Sequence, residues 1–595
     1  WDALPLLQAG QNHLEITFRE TYSYLEERSK ERVLRTCHAT ELAPSSTGYL
    51  RKSGCNYGWD WGPCLPTAGI RSGIFLHAFN TAKLGDIIID QQHRKDHVTL
   101  NIASHLERVS SQDKLQIRCI VSYGDQVVHD SLQTTTTSQS THEVSIAQPR
   151  LWWPAGMGDQ PLYHVTIQLL DDTGNELDRS KKRIGLRVLE LVRQDDTWGQ
   201  SFHFRVNGRD FFAKGANWIP ADAFVNRIDE AWYRSLLMSS VQANMNMIRV
   251  WGGGIYEPDL FYDLCDELGL CVWQDFMFAC AAYPTWDKDF MDSVRIEVAH
   301  QVPRLRHHAC IALWCGNNEL EQFIVCDDLS RLGMTWDEYY PLFDELIPGV
   351  LAKLDPSRPY LPSSDHTPGE NRKDSSDPTR GDAHLWHVWH RREPFEWYRT
   401  SFHRFCSEFG FQSFPEPQTL EAITLPQDRN LTSPVMEHHQ RSGPGNALIM
   451  HYMLSWFRMP IGFENVIWLS QIQQGLAIKY AVEHWRRNRP RCMGAIYWQL
   501  NDTWPGASWS SLDWHGRWKA LHFMAKQFFA PVLISGVENL EKQSVEVHLT
   551  SDRPGIETFQ WSWTATDVTG SVLQQETQDV TIPADSTQLI AALDM

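Results

Sequence analysis

The stretch MIRVWGGGIYEPDLFYDLCDELGLCVW (247–273) reads as strand, turn, helix, strand. Its two ends, Met247-Ile248-Arg249-Val250-Trp251 and Leu270-Cys271-Val272-Trp273, are short apolar runs. That is how a strand buried on both faces looks. Between them the spacing of apolar residues predicts a helix around Asp259–Leu268. A strand, a helix and a strand in this order form a βαβ unit with parallel strands. The alternation extends outward in both directions. Upstream, Phe211-Phe212-Ala213-Lys214-Gly215 precedes a helix around Ala231–Ala243. Downstream come Ile311-Ala312-Leu313-Trp314 and Ala495-Ile496-Tyr497-Trp498. Alternation over roughly 330 residues predicts a (β/α)8 TIM barrel.

The flanks have another texture. His13-Leu14-Glu15-Ile16-Thr17-Phe18 and Val98-Thr99-Leu100-Asn101-Ile102 alternate polar and apolar, which predicts half-buried strands. Alternation returns at Ser544-Val545-Glu546-Val547-His548-Leu549. The expected order is a β-sandwich over 1–82, a second over 83–192, the barrel over 193–532 and the start of another sandwich over 533–595. The segment Ser363–Asp382, rich in Asp, Ser and Pro, reads as a loop. The chain opens on Trp1 and its first strand reads as joined in mid-domain, so a longer natural N-terminus is expected.

Composition excludes some functions. The 54 basic and 73 acidic residues give a formal charge of −19, against the basic clusters that phosphate contacts need, so no nucleic acid is expected. No apolar run approaches 18 residues, so no membrane span is expected. The 26 Trp residues read first as core filling and second as flat faces for sugar rings. The 12 Cys include no CxxC pair and no zinc-type spacing. Cys55 and Cys64 flank the loop NYGWDWGP, where a disulfide or two buried thiols would both fit. Asn430 and Asn501 begin glycosylation sequons. These features point to a secreted or lysosomal protein, secretion first.

In a barrel of this kind the chemistry sits at the C-terminal ends of the strands. Two such ends stand out. In Ile311-Ala312-Leu313-Trp314-Cys315-Gly316-Asn317-Asn318-Glu319 four wall residues give way to a polar cluster. In Arg404-Phe405-Cys406-Ser407-Glu408-Phe409-Gly410 a carboxylate sits among aromatics. Either Glu alone also reads as a salt-bridged residue. Together, at one rim, they supply the paired carboxylates that glycoside hydrolysis uses: one protonated to leave its proton on the departing oxygen, one ionised to attack the anomeric carbon.

At these residues the chain resembles glycoside hydrolase family 2, and within it the β-mannosidases. The motifs are ALWCGNNE (312–319), FCSEFGFQSFP (405–415), NMNMIRVWGGGIYE (244–257), VNGRDFFAKGANWIPAD (206–222), YWQLNDTWPGASW (497–509) and GWDWGP (58–63). The family's domain order, jelly-roll and immunoglobulin-like sandwiches around a catalytic barrel, covers nearly the whole chain. The family also begins about a hundred residues earlier. The resemblance implies Glu319 as acid/base and Glu408 as nucleophile. It implies that Asn318 meets the sugar 2-hydroxyl and that Arg249 holds the Glu408 carboxylate. Trp251 and Trp498 would wall the sugar pocket, and Asp60 and Trp61 would reach in from the first domain, closing a pocket suited to exo-cleavage. His384 and Trp386 would line it. Read without the resemblance, Trp251 and Trp498 remain core aromatics, Arg249 a structural ion-pair partner and Asp60 a turn cap.

The run His384-Leu385-Trp386-His387-Val388-Trp389-His390 lacks the HExxH spacing, and Gly252-Gly253-Gly254 lacks the Lys-Ser/Thr of a phosphate loop. No metal and no cofactor are expected. The implied function is an exo-acting retaining β-mannosidase acting on oligosaccharides with terminal β-mannose. The alternatives are the same chemistry on a β-galactoside, β-glucuronide or β-glucosaminide, or a sugar-binding protein that does not cleave.

Overall fold

The structure, a computed structural model, describes residues 2–37, 43–71, 73–325, 333–369, 372 and 374–594. Its centre is an eight-stranded parallel sheet. The strands are β1 (Ala213–Trp218), β2 (Met247–Val250), β3 (Cys271–Asp275), β4 (Ile311–Cys315), β5 (Tyr360–Leu361), β6 (Ala383–His384), β7 (Cys406–Glu408) and β8 (Gly494–Tyr497). Their order is β5-β4-β3-β2-β1-β8-β7-β6, so β1 pairs with β8 and the sheet curls on itself. Between β5 and β6 the described link is the bridge of His366 to Asp382. Every residue of β1 to β4 and of β7 and β8 is buried, which explains the apolar runs of β4 and β8.

The helices expected between strands form at Glu230–Gln242 and Asp259–Leu268. The first begins where the Asp229 side chain accepts the Trp232 N–H; the second ends at Gly269 in left-handed backbone (φ +76°). Between β5 and β6 no other strand or helix appears among the described residues, as the polar sequence there predicts.

Residues 82–184 form a sandwich of a three-stranded and a four-stranded antiparallel sheet. Val98, Leu100 and Ile102 alternate into its core with Ile117, Cys119 and Val121 opposite, so the two-residue period was read correctly. After the barrel, Val532–Asn539, Ser544–Ser551 and Thr587–Asp594 pair antiparallel beside the hairpin Glu557–Thr566/Val572–Ile582. The chain is thus a TIM-type barrel flanked by β-rich domains.

The N-terminal expectation fails in one place. His13–Phe18 forms no strand, and Leu14, Ile16 and Phe18 are exposed. Alternation creates a face, but a strand also needs a hydrogen-bonded neighbour, and none of the described residues pairs with it. The elements near the barrel here are the helix Thr21–Ser29 and a tight hairpin, Tyr57–Trp59 with Gly62–Cys64.

Candidate active site

Glu319 follows β4 and Glu408 ends β7, so both emerge at the C-terminal rim. One ligand-type atom from each of Glu319, His384 and Glu408 lies within 4.8 Å of the others. His384, at the end of β6, stands between them. Its Nδ1 is 2.8 Å from Glu319 Oε1 and 3.5 Å from Glu408 Oε2. All three side chains are buried.

Arg249, from β2, is fully buried beneath this group. Its Nη1 donates to Glu408 Oε1 (2.7 Å) and to Asn217 Oδ1 (3.0 Å). Its Nη2 donates to Asp275 Oδ2 (2.9 Å) and to Asn318 Oδ1 (2.7 Å). One guanidinium therefore faces two carboxylates and orients the asparagine before Glu319. A buried charge needs such partners, because dehydration is costly. Burial opposes the Arg249 charge, but Asp275 and Glu408 hold its pKa above the ordinary value. Burial raises the Glu408 carboxyl above the ordinary value, against the pull of the Arg249 charge.

Cys280 reaches the site from the loop after β3. Its thiol donates to Glu319 Oε2 (3.4 Å) and accepts from Asn318 Nδ2 (3.3 Å). Burial raises its pKa well above the ordinary thiol value, so it keeps the proton it donates. Cys280 and Glu319 both hold left-handed backbone, at φ +47° and +64°. Non-glycine residues adopt it at a cost, and such outliers gather where side chains must be aimed.

These groups open into a cavity of about 460 Å³. Trp59, Asp60, Trp251, Gln322, Phe323, Trp386, His390 and Trp498 are among the residues that line it. Asp60 stands at the turn of the first domain's hairpin. That hairpin is seated by the glycines after β2: Gly253 O accepts the Cys55 N–H (3.0 Å) and the Ser53 hydroxyl (3.1 Å). A Cβ on Gly253 would lie 1.9 Å from the Trp251 ring, so only glycine lets that ring fold beneath the loop. The triple glycine is a docking step for the hairpin, not a phosphate cradle. Burial, with Glu319 and Glu408 nearby, pushes Asp60 up to about 7.

Three expectations need correction. Trp61 does not line the cavity. It is 1% exposed and packs behind the wall, its ring centroid 5.6 Å from Trp251 and 6.4 Å from Trp498. Trp59 occupies the wall instead, because the hairpin turns after it. Cys55 and Cys64 are free thiols. Cys64 pairs across the hairpin with Tyr57, while the Cys55 thiol contacts Ser53. Asn501 is 1% exposed and its amide donates to Ile219 O (2.9 Å), so its sequon is sealed in the folded chain. Asn430 is exposed.

Among the described residues two clusters converge as metal ligands would: Glu319–His384–Glu408 and Asp266–His308–Cys310. Internal hydrogen bonds account for the second, since Asp266 holds His308 Nδ1 and the Cys310 N–H at 2.7 Å each. In the first, Arg249 already supplies the charge facing Glu408. His387–Arg391 is a helix, so His384, His387 and His390 do not share a strand face.

A barrel whose rim brings two buried carboxylates together beneath an aromatic pocket defines the glycosidase class of site. Comparison with known proteins gives the family. Residues 1–72 match the glycosyl hydrolase 2 galactose-binding domain-like model, 82–187 glycosyl hydrolases family 2, and 543–595 the mannosidase Ig/CBM-like domain. The chain is 36% identical over 589 residues to the Bos taurus protein named beta-mannosidase, covering 91% of this chain and 66% of the relative. It is 35% identical over 555 residues to beta-mannosidase B of Aspergillus clavatus, covering 90% and 64%. The solved beta-D-mannosidase from Dictyoglomus thermophilum superposes with a TM-score of 0.89 at 35% identity, covering 96% of this chain and 70% of that one. An exo-chitosanase from Amycolatopsis orientalis shares the fold at 16% identity, with a TM-score of 0.69. The chain belongs to glycoside hydrolase family 2. It spans just under two thirds of the length of the curated relatives it matches.

Proposed function

We propose that this chain carries the catalytic site of an exo-acting, retaining β-mannosidase that removes terminal β-D-mannose from oligosaccharides. The observation that carries the reading is the approach of the two rim carboxylates, an oxygen of each within 4.8 Å of the other. Retaining glycosidases hold their carboxyl groups about 5–5.5 Å apart, and inverting ones about 6.5–9.5 Å apart to admit a water. Oxygens this close accord with the first class.

In this reading Glu408 attacks the anomeric carbon. The glycosidic C–O bond breaks, and Glu319 gives its proton to the departing oxygen. The sugar is left as an ester of Glu408, whose negative charge is gone. Glu319, now a carboxylate, takes a proton from water as the water oxygen bonds to the anomeric carbon and Glu408 leaves. Arg249 keeps Glu408 anionic before attack and receives it on departure. Asn318, aimed by Arg249 and Cys280, faces the sugar beside the bond being cut. Asp60 and Trp59, brought in from the first domain, line the pocket, which suits recognition of a chain end. The choice of mannose draws support from the names of the relatives.

A panel of nitrophenyl β-glycosides tests the sugar: mannoside should turn over fastest, and a faster galactoside, glucuronide or glucosaminide would overturn the choice. A 2-deoxy-2-fluoro-mannosyl fluoride should label the Phe405–Pro415 segment at Glu408. Glu408→Gln should lose turnover by several orders of magnitude while keeping sugar binding; retained turnover would remove Glu408 from the nucleophile role. A secreted or lysosomal location retains one support, the exposed Asn430 in its sequon. No described helix is long and apolar enough to cross a membrane.

A further inference from the structure

Behind the two carboxylates a chain of buried polar groups runs into the β5–β6 seam. The Ser364 oxygen lies 2.7 Å from Asp382 Oδ2 and 3.0 Å from His384 Nε2. Asp382 Oδ2 also accepts the Ser407 hydroxyl (2.5 Å), and its Oδ1 accepts the His366 N–H (2.9 Å). Ser364, Asp382, His384 and Ser407 are all buried.

The direction of each bond follows from counting protons. A hydroxyl has one. Two oxygens 2.7 Å apart need a proton between them, and the hydroxyls of Ser364 and Ser407 both point theirs at Asp382 Oδ2. Ser364 therefore donates to Asp382 and can only accept from His384. That fixes the imidazole proton on Nε2. Burial pushes His384 down to about 4, so near neutrality the ring has no second proton. Nδ1 is then a bare lone pair 2.8 Å from Glu319 Oε1. Two acceptors do not sit at that distance without a proton between them, so Oε1 carries it.

We propose that Asp382, Ser364 and His384 form a fixed hydrogen-bond relay that holds a proton on Glu319 Oε1 in the resting site. The proposal rests on reading Glu319 as the acid. It gives a physical reason why Glu319 and not Glu408 is the protonated partner: Glu408 Oε1 faces the Arg249 guanidinium, while Glu319 Oε1 faces a lone pair. The other groups facing this pair leave the assignment intact. Cys280 donates to Oε2, not Oε1. Asp365 and Asp60 are pushed up by burial and His390 is pushed down by it, which favours the neutral form of each. Asp382 and Ser364 do not touch the pocket; they are positioning residues that act through His384.

Ser364→Ala removes one oxygen and leaves Asp382 with Ser407 and the His366 N–H. His384 Nε2–H loses its acceptor, and the other tautomer, which donates to Glu319 and favours its ionised form, becomes competitive. For a β-mannoside with a poor leaving group, the basic limb of the kcat/KM profile should move about one unit toward lower pH. A 2,4-dinitrophenyl β-mannoside, whose leaving group needs little protonation, should lose at least tenfold less rate. Asp382→Asn should act in the same direction. Equal losses on both substrates, or an unmoved basic limb in Ser364→Ala, would overturn the relay. Glu319→Ala separates this from failure of the underlying reading: selective loss on the poor leaving group with rescue by azide keeps Glu319 as the acid whatever the relay does. An activity-free readout stands beside these. In protein carrying 15N-histidine, the signals lost in His384→Gln should report a protonated Nε2 and a bare Nδ1 at neutral pH; the reverse pattern would refute the proposal.

Discussion

Asp60 shows how much one side chain draws from its surroundings. On the surface its carboxyl would be ionised at any physiological pH. In the pocket wall, burial raises it to about 7, with the nearby Glu408 charge adding to the shift. Below that pH it is neutral and a weaker acceptor for a sugar hydroxyl. KM for nitrophenyl β-mannoside should therefore rise as pH falls through about 7, and in Asp60→Asn KM should be raised throughout and lose that dependence. Parallel pH profiles of KM in the two proteins would refute the assignment. Glu319 and Glu408 were legible because strand ends in a parallel barrel are a readable place; roles for Asn318 and Arg249 came only with the family resemblance. Ser364 and Asp382 were not, since they lie in a polar segment whose only signal was that of a loop. Cys280 was hidden for a related reason: a small residue past a strand end has no pattern of its own. The exchange of Trp61 for Trp59 turned on where an eight-residue hairpin reverses, which alternation cannot specify.

The barrel strands were the most legible elements, because burial on both faces forces apolar runs that nothing else in the chain imitates. Their edges were less so: β5 and β6 have two residues each, too short for periodicity to register. Within β1 the Lys214-Gly215 pair looks like a weak strand sequence, yet Gly215 is required. It pairs with Met247 of β2, and a Cβ there would fall 1.8 Å from the Met247 carbonyl oxygen. Backbone cannot swing aside as a side chain can. Gly215→Ala should cost at least the upper end of the ~1–3 kcal/mol typical of overpacking, and it should disturb Arg249, two residues further along β2. Gly349, in the helix Ile347–Leu354, is the contrast: its position is exposed and a Cβ there meets nothing within 4 Å. Gly349→Ala should stabilise by about 0.5–1 kcal/mol. Thermal unfolding of both variants checks the pair, and equal effects would mean that the β1–β2 contact is not tight.

At the scale of the molecule, the two ends of the barrel do different work. The rim holds the carboxylates; the opposite end is tied to the C-terminal strands by a charge cluster. Asp552, just past Ser544–Ser551, meets Lys214 of β1 (2.9 Å), Arg486 (3.0 Å) and Arg489. Arg209, before β1, adds an ion pair with Asp585. A single carboxylate thus offsets three largely buried cations, and they hold its pKa well below the ordinary range against the effect of burial. Such a group adds stability that is complete above the unfolded-state value, ~3.9, and is lost as pH falls toward the depressed folded value. Asp552→Asn keeps the shape and removes the charge, leaving three cations without their partner. Breaking a buried pair in this way costs about 3–5 kcal/mol. Asp585→Asn, which removes one more exposed partner, should cost about 1 kcal/mol or less. In thermal unfolding at neutral pH, Asp552→Asn should therefore fall well below both the parent chain and Asp585→Asn. As pH drops through 4 the gap to the parent should narrow, because the aspartate of the unfolded parent then takes up a proton while the folded one stays ionised, and the advantage of the charge shrinks. A gap that stays constant with pH would show that the charge of Asp552 is not what ties the C-terminal sheet to the barrel.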